Sequence, residues 1–337
     1  MKKSLLYIGN KLSGKGSNVT TIETLGRLLS SEGCRVAYAS EKQNQLLRLL
    51  DMLWKTFLLR NKVDYVLIDT YSTSGFWFAY LTGQLCRLLG KKYIPILHGG
   101  NLPNRLQNNP ALCRQLFGNA YRNVAPSHYL LHEFQEAGFT NVTFIPNSIE
   151  IEKYPFKERS VFQPNLLWVR ALAPIYNPKM AIDVLSELKR NYPDSQLCMV
   201  GPDKDRYGEA IKHYANEKGL DVKFTGRLPK ESWISLSGDY DIFINTTHLD
   251  NTPVSIMEAM ALGLPVVSTN VGGIPYLLTH EKDALLVADN EVSEMTTAIL
   301  KLAEDATLAR KLSLNGRAKA AAWDWQSVKE SWMALLQ

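Results

Sequence analysis

Cysteine is scarce in this chain, and the four present, Cys34, Cys86, Cys113 and Cys198, stand far apart with no pair at metal-ligand spacing. That argues against a cysteine-based metal site. Three of the four lie in apolar segments that read as core, so free thiols in a reducing cytoplasm are the simplest reading. No apolar stretch reaches the roughly twenty residues that span a bilayer. The start, Met1-Lys2-Lys3 ahead of a strand-like run, is too short for a secretory signal peptide. The expectation is a protein not integral to a membrane. A strong charge of one sign is missing too, since 38 Lys and Arg against 33 Asp and Glu leave a formal +5. This mild positive balance suits phosphate-bearing ligands or an anionic lipid surface. No basic and aromatic motif for RNA or DNA occurs, so nucleic acid is not an expected partner. Low-complexity tracts and short-period repeats are absent. What remains is ordinary globular composition, 45% apolar and 21% charged, in 337 residues, enough for about two domains with substantial cores.

Residues 4–9 read as a strand, residues 10–18 as a polar, glycine-bearing loop, and residues 19–31 carry apolar side chains at helical intervals. Further strands are expected at residues 35–39, 65–69, 93–97, 123–126 and 142–145, with helices between them such as residues 75–89 and 128–137. Residues 149–164, with two prolines and several charges, read as a crossing into a second unit. There the pattern restarts, with strands at residues 166–169, 196–200, 222–225, 242–245, 265–268 and 284–287. Helices are expected at residues 178–190, 209–218, 291–304 and 308–322. Strands alternating with helices imply an α/β chain whose mostly parallel sheets carry helices on both faces. The expected division is one Rossmann-like domain at residues 1–150, a second at 151–322, and a terminal helix at 323–337.

The most informative stretch begins with Asp241-Ile242-Phe243-Ile244-Asn245, a buried strand by its β-branched and aromatic content. It delivers the chain to the polar loop His248-Leu249-Asp250-Asn251. Thr252 then offers a hydroxyl cap, Pro253 suits the first helical position, and Met257, Met260 and Ala261 recur at helical spacing until Gly263. An open α/β sheet places its ligand just beyond the carboxyl ends of its strands, where the N–H groups of a helix start favour an anion. Two carboxylates, Asp250 and Glu258, with Pro253 between them and Ala259-Met260-Ala261-x-Gly263-x-Pro265-Val266-Val267 behind, resemble the signature of retaining glycosyltransferase family 4, the glycosyl transferases group 1. The family's usual form has Glu at both ends; Asp250 keeps the residue type on a shorter side chain.

The resemblance runs from the amino-terminal loop to nearly the end of the chain. It implies the GT-B fold, two tandem Rossmann-like domains facing across a cleft that holds a nucleotide sugar. In that fold the first domain takes the acceptor, the second the donor, and the last helix crosses back to the first domain. Ala322-Trp323-Asp324-Trp325 and the helix after it are placed to make that crossing, with Asp324 as a helix cap.

Moving a glycosyl group from a nucleoside diphosphate requires stabilising a departing diphosphate as it gains negative charge. Arg170, ending Leu167-Trp168-Val169-Arg170, is the first candidate, because a guanidinium holds phosphate oxygens in a fork and does not deprotonate. It matches the family's leaving-group arginine; the plainer reading is an arginine paired with a neighbouring carboxylate. The family adds a lysine about five residues on, where this chain runs Ala173-Pro174-Ile175-Tyr176-Asn177, and Lys179 is the substitute. The loop Asn270-Val271-Gly272-Gly273-Ile274-Pro275 presents the backbone of Gly272 and Gly273 to the diphosphate, or is simply a turn. Tyr276 stands where the family commonly has Glu. The resemblance further implies that Glu258 accepts hydrogen bonds from the ribose, that Asp250 faces the transferred sugar, and that Arg227 and Leu228 line the base. Thr252 and Pro253 join the donor-binding set.

In the first domain, Gly14-Lys15-Gly16 looks like the family's glycine loop facing the diphosphate and the acceptor. It is also a near miss for a phosphate-binding P-loop: Gly9, four residues, Gly14, Lys15, then Gly16 where Ser or Thr binds magnesium. His98, in Ile96-Leu97-His98-Gly99-Gly100, stands where the family meets the sugar or acceptor; otherwise it is a histidine satisfied by a backbone carbonyl. Asp69 points to the cleft edge or caps a helix. Asn147 reads as structural. Asp203-Lys204-Asp205 imitates the Asp-x-Asp of metal-dependent transferases, but two carboxylates make a poor magnesium site alone. With Arg170 as the cation, no metal and no cofactor is expected, the nucleoside-diphosphate sugar being a substrate.

Residues 42–62 mix basic residues with Leu46, Leu47, Leu49, Leu50, Met52, Leu53, Trp54, Phe57, Leu58 and Leu59. A helix this apolar on more than one side reads as core. The alternative is a face resting on anionic lipid and rimmed by Arg48, Lys55, Arg60 and Lys62, which suits a lipid-linked acceptor. The combined expectation is a cytoplasmic, metal-independent, retaining glycosyltransferase, peripheral on the inner face of the membrane where its acceptor is lipid-linked. Its partners are a nucleotide-sugar donor and a glycan or lipid-linked acceptor in cell-surface polysaccharide or glycolipid synthesis. The rivals are a nucleotide-sugar epimerase of the same fold and a non-catalytic nucleotide-sugar-binding protein.

Overall fold

The computed structural model describes residues 3–13, 20–203 and 206–337. The chain divides into two compact units, Met1–Ser148 together with Trp325–Gln337, and Ile149–Asp324. The first contains β1 (Ser4–Ile8), β2 (Arg35–Ala39), β3 (Tyr65–Thr70), β4 (Lys92–Leu97), β5 (Asn123–Ala125) and β6 (Val142–Phe144). They form one sheet in the order β2-β1-β3-β4-β5-β6. The second contains β7 (Asn165–Val169), β8 (Gln196–Val200), β9 (Lys223–Gly226), β10 (Ile242–Asn245), β11 (Val266–Thr269) and β12 (Leu285–Val287), ordered β12-β11-β10-β7-β8-β9. Every pairing is parallel. Each strand expected from the sequence is present within one residue at either end.

Such strands are legible because a parallel sheet covered on both faces buries successive side chains alternately, so the whole strand must be apolar. In β1, Leu6 and Ile8 enter one core while Leu5 and Tyr7 enter another on the opposite face. In β10, Ile242 and Ile244 go one way and Phe243 the other. Strand order reverses between β1 and β3 in the first sheet and between β7 and β10 in the second. These switch points leave a crevice at the carboxyl ends of the strands.

The helix Trp325–Leu335 belongs to the first unit although it follows the second in sequence. Its Trp325, Val328 and Trp332 pack with Leu5, Tyr7, Leu25 and Leu29, and Trp325 Nε1 donates to Glu32 Oε1 at 3.0 Å. Asp324 acts at the hinge of this arrangement: its Oδ1 accepts from Ile151 N at 3.0 Å, while Ile149 N donates to Trp323 O at 2.9 Å. Entry to and exit from the second unit are thereby tied together.

The core reading of residues 42–62 is overturned. The helix Gln45–Leu59 buries Arg48, Met52 and Thr56, one residue per turn, and leaves Leu46, Leu47, Leu50, Trp54, Phe57 and Leu58 exposed. The buried arginine is satisfied: Arg48 donates to Lys42 O and Gln43 O, both at 2.7 Å, and to Asn10 Oδ1 at 2.9 Å. Arg48 is therefore no rim residue either, whereas Arg60 lies outside, its guanidinium 4.2 Å from the Phe57 ring centroid. The polar side faces in because it carries the hydrogen-bonding network, and the apolar side is left outward. No helix among the described residues is long and apolar enough to cross a membrane. All four cysteines are free thiols, and burial pushes Cys86 up to about 12 and Cys113 up to about 11.

Candidate functional site

The second unit gathers its charged residues at the switch point between β7 and β10. β7 ends at Val169, and Arg170 continues the ladder by donating its N–H to Val200 O at 3.0 Å. Its guanidinium lies over Tyr176, 4.9 Å from the ring centroid, and Nη2 is paired with Asp250 Oδ2. The Arg170 Nε is buried without a hydrogen-bond partner. The fork is thus half engaged, with one N–H still available for an acceptor. The other Asp250 oxygen accepts from Asn251 N at 2.8 Å. Both side chains are less than one-fifth exposed, Arg170 at 19% and Asp250 at 17%, so solvent screens the pair only in part. Burial pushes the Tyr176 phenol up, and the arginine partly counters that.

The helix after Asp250 spans Val254–Ala261, starting later than the sequence implies. Thr252 is not its cap. Pro253 takes that position with φ −65° and ψ 110° and makes no side-chain cap bond, and its carbonyl accepts from Ile256 N at 3.1 Å and Met257 N at 3.4 Å. Pro253 is itself extended, so Val254 is the first helical residue and Thr252 stands one position ahead of the cap. The carboxyl end behaves as read: Gly263 has φ +80°, and Leu264 N closes on Ala259 O at 3.0 Å.

The loop at Gly272 and Gly273 is packed onto the backbone of Asp250 and Asn251. Gly273 donates to Asp250 O at 2.8 Å. A Cβ at Gly273 would come within 1.9 Å of Asn251 O, and one at Gly272, where φ is +53°, within 2.5 Å of Asp250 O. Glycine is required here by close approach, and the Gly273 amide is committed to Asp250.

Glu258, in the second turn of the helix, is buried and accepts from Tyr154 Oη at 2.8 Å. Lys230 Nζ is paired with the same carboxylate oxygen. Burial first, then the Glu258 charge and hydrogen bond, hold the Tyr154 phenol well above its ordinary range. Arg227 is exposed just past the end of β9, and Leu228 packs against the core that contains Trp233.

The first unit has its own polar cluster at its switch point. Asp69, near the end of β3, is 5% exposed and accepts from Tyr7 Oη at 3.0 Å; the same oxygen lies 2.9 Å from His98 Nε2. The histidine is therefore satisfied by a carboxylate rather than by a backbone carbonyl, and its ring lies 5.3 Å from that of Tyr71. Asp69 caps no helix; its Oδ2 is buried without a partner. Burial and the neighbouring Asp69 raise the phenols of both Tyr7 and Tyr71.

Residues 150–319 match the sequence profile of the glycosyl transferases group 1. The chain belongs to that family. It is 24% identical over 233 residues to a GDP-mannose-dependent monoacylated alpha-(1-6)-phosphatidylinositol monomannoside mannosyltransferase of Corynebacterium glutamicum, covering 63% of this chain and 60% of that protein. Against the amylovoran biosynthesis glycosyltransferase AmsK of Erwinia amylovora the identity is 27% over 252 residues, covering 69% and 60%. The chain spans 47% of the glycogen synthase of Mycobacterium tuberculosis. HepE of Anabaena, in a crystal structure with UDP and glucose, superposes with a TM-score of 0.79 at 18% identity, covering 100% of this chain and 99% of that one. A sucrose-phosphate synthase of Thermosynechococcus elongatus superposes at 0.81 and 15% identity, covering 99% and 98%. The fold is GT-B.

Within this group 1 chain the structure brings Arg170, Asp250, Gly272 and Gly273 together and places Glu258 on the adjoining helix. It does not bring Lys179 to them: that ammonium sits over the Tyr214 ring, 4.9 Å from its centroid. Gly14 and Gly16 lie outside the described residues, as do Lys204 and Asp205. Asp203 accepts from Gly208 N at 2.7 Å. Among the described residues no group of three or more His, Cys, Asp or Glu is arranged to hold a metal ion. The sequence reading missed Tyr154 and Lys230. Tyr154 sat inside the stretch read as a crossing, and Lys230 lies just past the edge assigned to the base, where a charge at a helix start reads as solvated surface.

Proposed function

We propose that this protein is a retaining, metal-independent glycosyltransferase that takes a sugar from a nucleoside-diphosphate donor and passes it to a glycan or lipid-linked acceptor. The observation that carries the proposal is the Arg170 fork, held by Asp250 on one side and left with a buried, unpaired Nε on the other. An unsatisfied buried donor costs about 1–3 kcal/mol, which a phosphate oxygen removes by accepting from it. Two family relatives support the same reading, the GDP-mannose-dependent mannosyltransferase and the glycosyltransferase of amylovoran synthesis. The HepE structures with UDP and with UDP-glucose support it too.

In this reading the bond from the anomeric carbon to the β-phosphate oxygen breaks as the acceptor oxygen bonds to that carbon on the same face. The acceptor's proton passes to the departing diphosphate, so no protein nucleophile is assigned. Arg170 holds the charge gained by the leaving group, Asp250 holds hydroxyls of the moving sugar, and Glu258 accepts from the ribose. Arg227 and Leu228 line the base. His98 serves the acceptor side in the first unit. The outward apolar side of Gln45–Leu59, with exposed Lys62 beyond it, rests on an anionic bilayer and brings a lipid-linked acceptor within reach, so the enzyme works at the inner face of the membrane.

The test is calorimetric titration with UDP, GDP, ADP and their sugar conjugates, with and without chelator, and with Mg-ATP as control. Binding of one nucleotide sugar that survives the chelator is expected. Product analysis with donor alone then separates transfer from epimerisation. Magnesium-dependent ATP binding without sugar-nucleotide binding would overturn the proposal.

A further inference from the structure

We propose that Lys230 is the second cation of the donor site, stored in an ion pair with Glu258 that a nucleoside diphosphate opens by exchange. The inference rests on the function proposed above. A departing diphosphate bears more than one negative charge, and Arg170 supplies one positive charge that Asp250 already shares. The site therefore holds two carboxylates, each occupied by its own cation, and is close to neutral before the ligand arrives.

A nucleoside diphosphate has both kinds of partner on one molecule, hydroxyls that donate to carboxylates and phosphate oxygens that accept from cations. When the nucleotide sugar enters, Glu258 exchanges its cation for ribose hydroxyls and Asp250 for hydroxyls of the sugar, and Lys230 and Arg170 exchange their carboxylates for phosphate. Every charge stays paired, so the exchange avoids stranding a buried ion.

The exposures fit these roles. Glu258 is fixed, its side chain 5% exposed, whereas Lys230 is 48% exposed at the start of the helix Lys230–Leu236 and has a flexible stem free to swing. When the lysine leaves, Tyr154 Oη still donates to the Glu258 carboxylate at 2.8 Å. Lys179, the other lysine considered for the diphosphate, is held over Tyr214.

The experiment titrates wild type, Lys230→Met and Lys230→Arg with a nucleoside, its monophosphate and its diphosphate, using the base that wild type binds. In Lys230→Met the diphosphate is expected to bind about tenfold or more weakly, the loss of one charge-assisted hydrogen bond. The free nucleoside should bind as well as before or more tightly, because Glu258 is no longer occupied by a cation. Lys230→Arg should stay near wild type. A second variant moves the charge: Ile175 is 46% exposed, and its carbonyl accepts from His248 N at 2.9 Å and Thr247 Oγ1 at 3.1 Å, alongside the loop that carries Asp250. Ile175→Lys added to Lys230→Met should recover diphosphate binding. Equal losses for nucleoside and diphosphate, no loss for either, or no recovery from the relocated charge would each overturn the assignment of Lys230. A wild-type protein that binds no nucleoside diphosphate would instead overturn the proposed function itself.

Discussion

Replacing Arg170 by alanine removes three things at once: the pair with Asp250, the ring contact with Tyr176 at 4.9 Å, and the buried Nε that has no partner. Only the last two matter to a bound donor in the exchange picture, since the Asp250 pair opens when phosphate arrives. A charge-assisted hydrogen bond is worth about 1.5–3 kcal/mol, and ~1.4 kcal/mol is a factor of ten, so kcat/KM should fall by about one to two orders of magnitude. Arg170→Lys keeps the charge but not the fork and should fall between the two. The assay is initial-rate transfer from the donor identified by titration, with melting temperature as a check on folding. Asp250→Asn supplies the opposite sign: it releases Arg170 beforehand, so the bare nucleoside diphosphate should bind more tightly while transfer falls. Wild-type kcat/KM in a folded Arg170→Ala protein would refute the leaving-group role.

Three further outcomes follow from the same geometry. Glu258→Ala should weaken nucleoside binding by about tenfold through loss of a hydrogen bond to a charged acceptor, and also cost stability by leaving the buried Tyr154 hydroxyl unpaired; an unaltered nucleoside dissociation constant sinks the ribose assignment. Leu50→Ser with Trp54→Ser, at positions 53% and 61% exposed, should abolish sedimentation with phosphatidylglycerol vesicles without lowering the melting temperature, and unchanged sedimentation would remove this face from the membrane. Burial raises Cys86 to about 12 and Cys113 to about 11, each from an ordinary 9.0, and raises Tyr7, Tyr71 and Tyr154 from 10.0. The folded state therefore retains protons that the unfolded chain releases, so this stability is complete below about pH 9 and is lost as pH climbs toward 12. Urea midpoints recorded from pH 7 to 11 should decline at the alkaline end, and a flat profile would contradict the burial of these groups.

The strands were legible because burial on both faces forces a continuous apolar run. Arg170, Asp250 and Glu258 were singled out through the family resemblance, and each follows a strand or sits within a turn or two of a helix start, so the local pattern around it could be read. Their partners were not. Tyr154 reaches Glu258 from 104 residues away and Lys230 from 28, and neither stands in a local pattern that marks a contact. The Thr252 cap failed because Pro253 was read as the first helical residue, whereas its ψ of 110° makes it the last extended one. The helix Gln45–Leu59 failed for a different reason: hydrophobicity does not say which side faces in when an arginine with three acceptors competes for the interior.

Gly9 shows how a motif fragment can have a local cause. In sequence it opens a near miss for a P-loop; in the structure a Cβ there would lie 2.6 Å from Asp69 Oδ2, so the glycine clears space for a buried carboxylate. Each unit thus places an aspartate at the switch point of its sheet, but the two are held differently. Asp69 is held by a phenol and an imidazole, which offer hydrogen bonds and no permanent cation. Asp250 is held by a guanidinium, a permanent cation with a spare N–H, and the neighbouring Glu258 by an ammonium. A ligand with several negative charges finds its counter-charges at the second switch point, whereas the first has the imidazole that suits a hydroxyl. That asymmetry supports the proposal that the second unit takes the diphosphate donor and the first the hydroxyl-bearing acceptor.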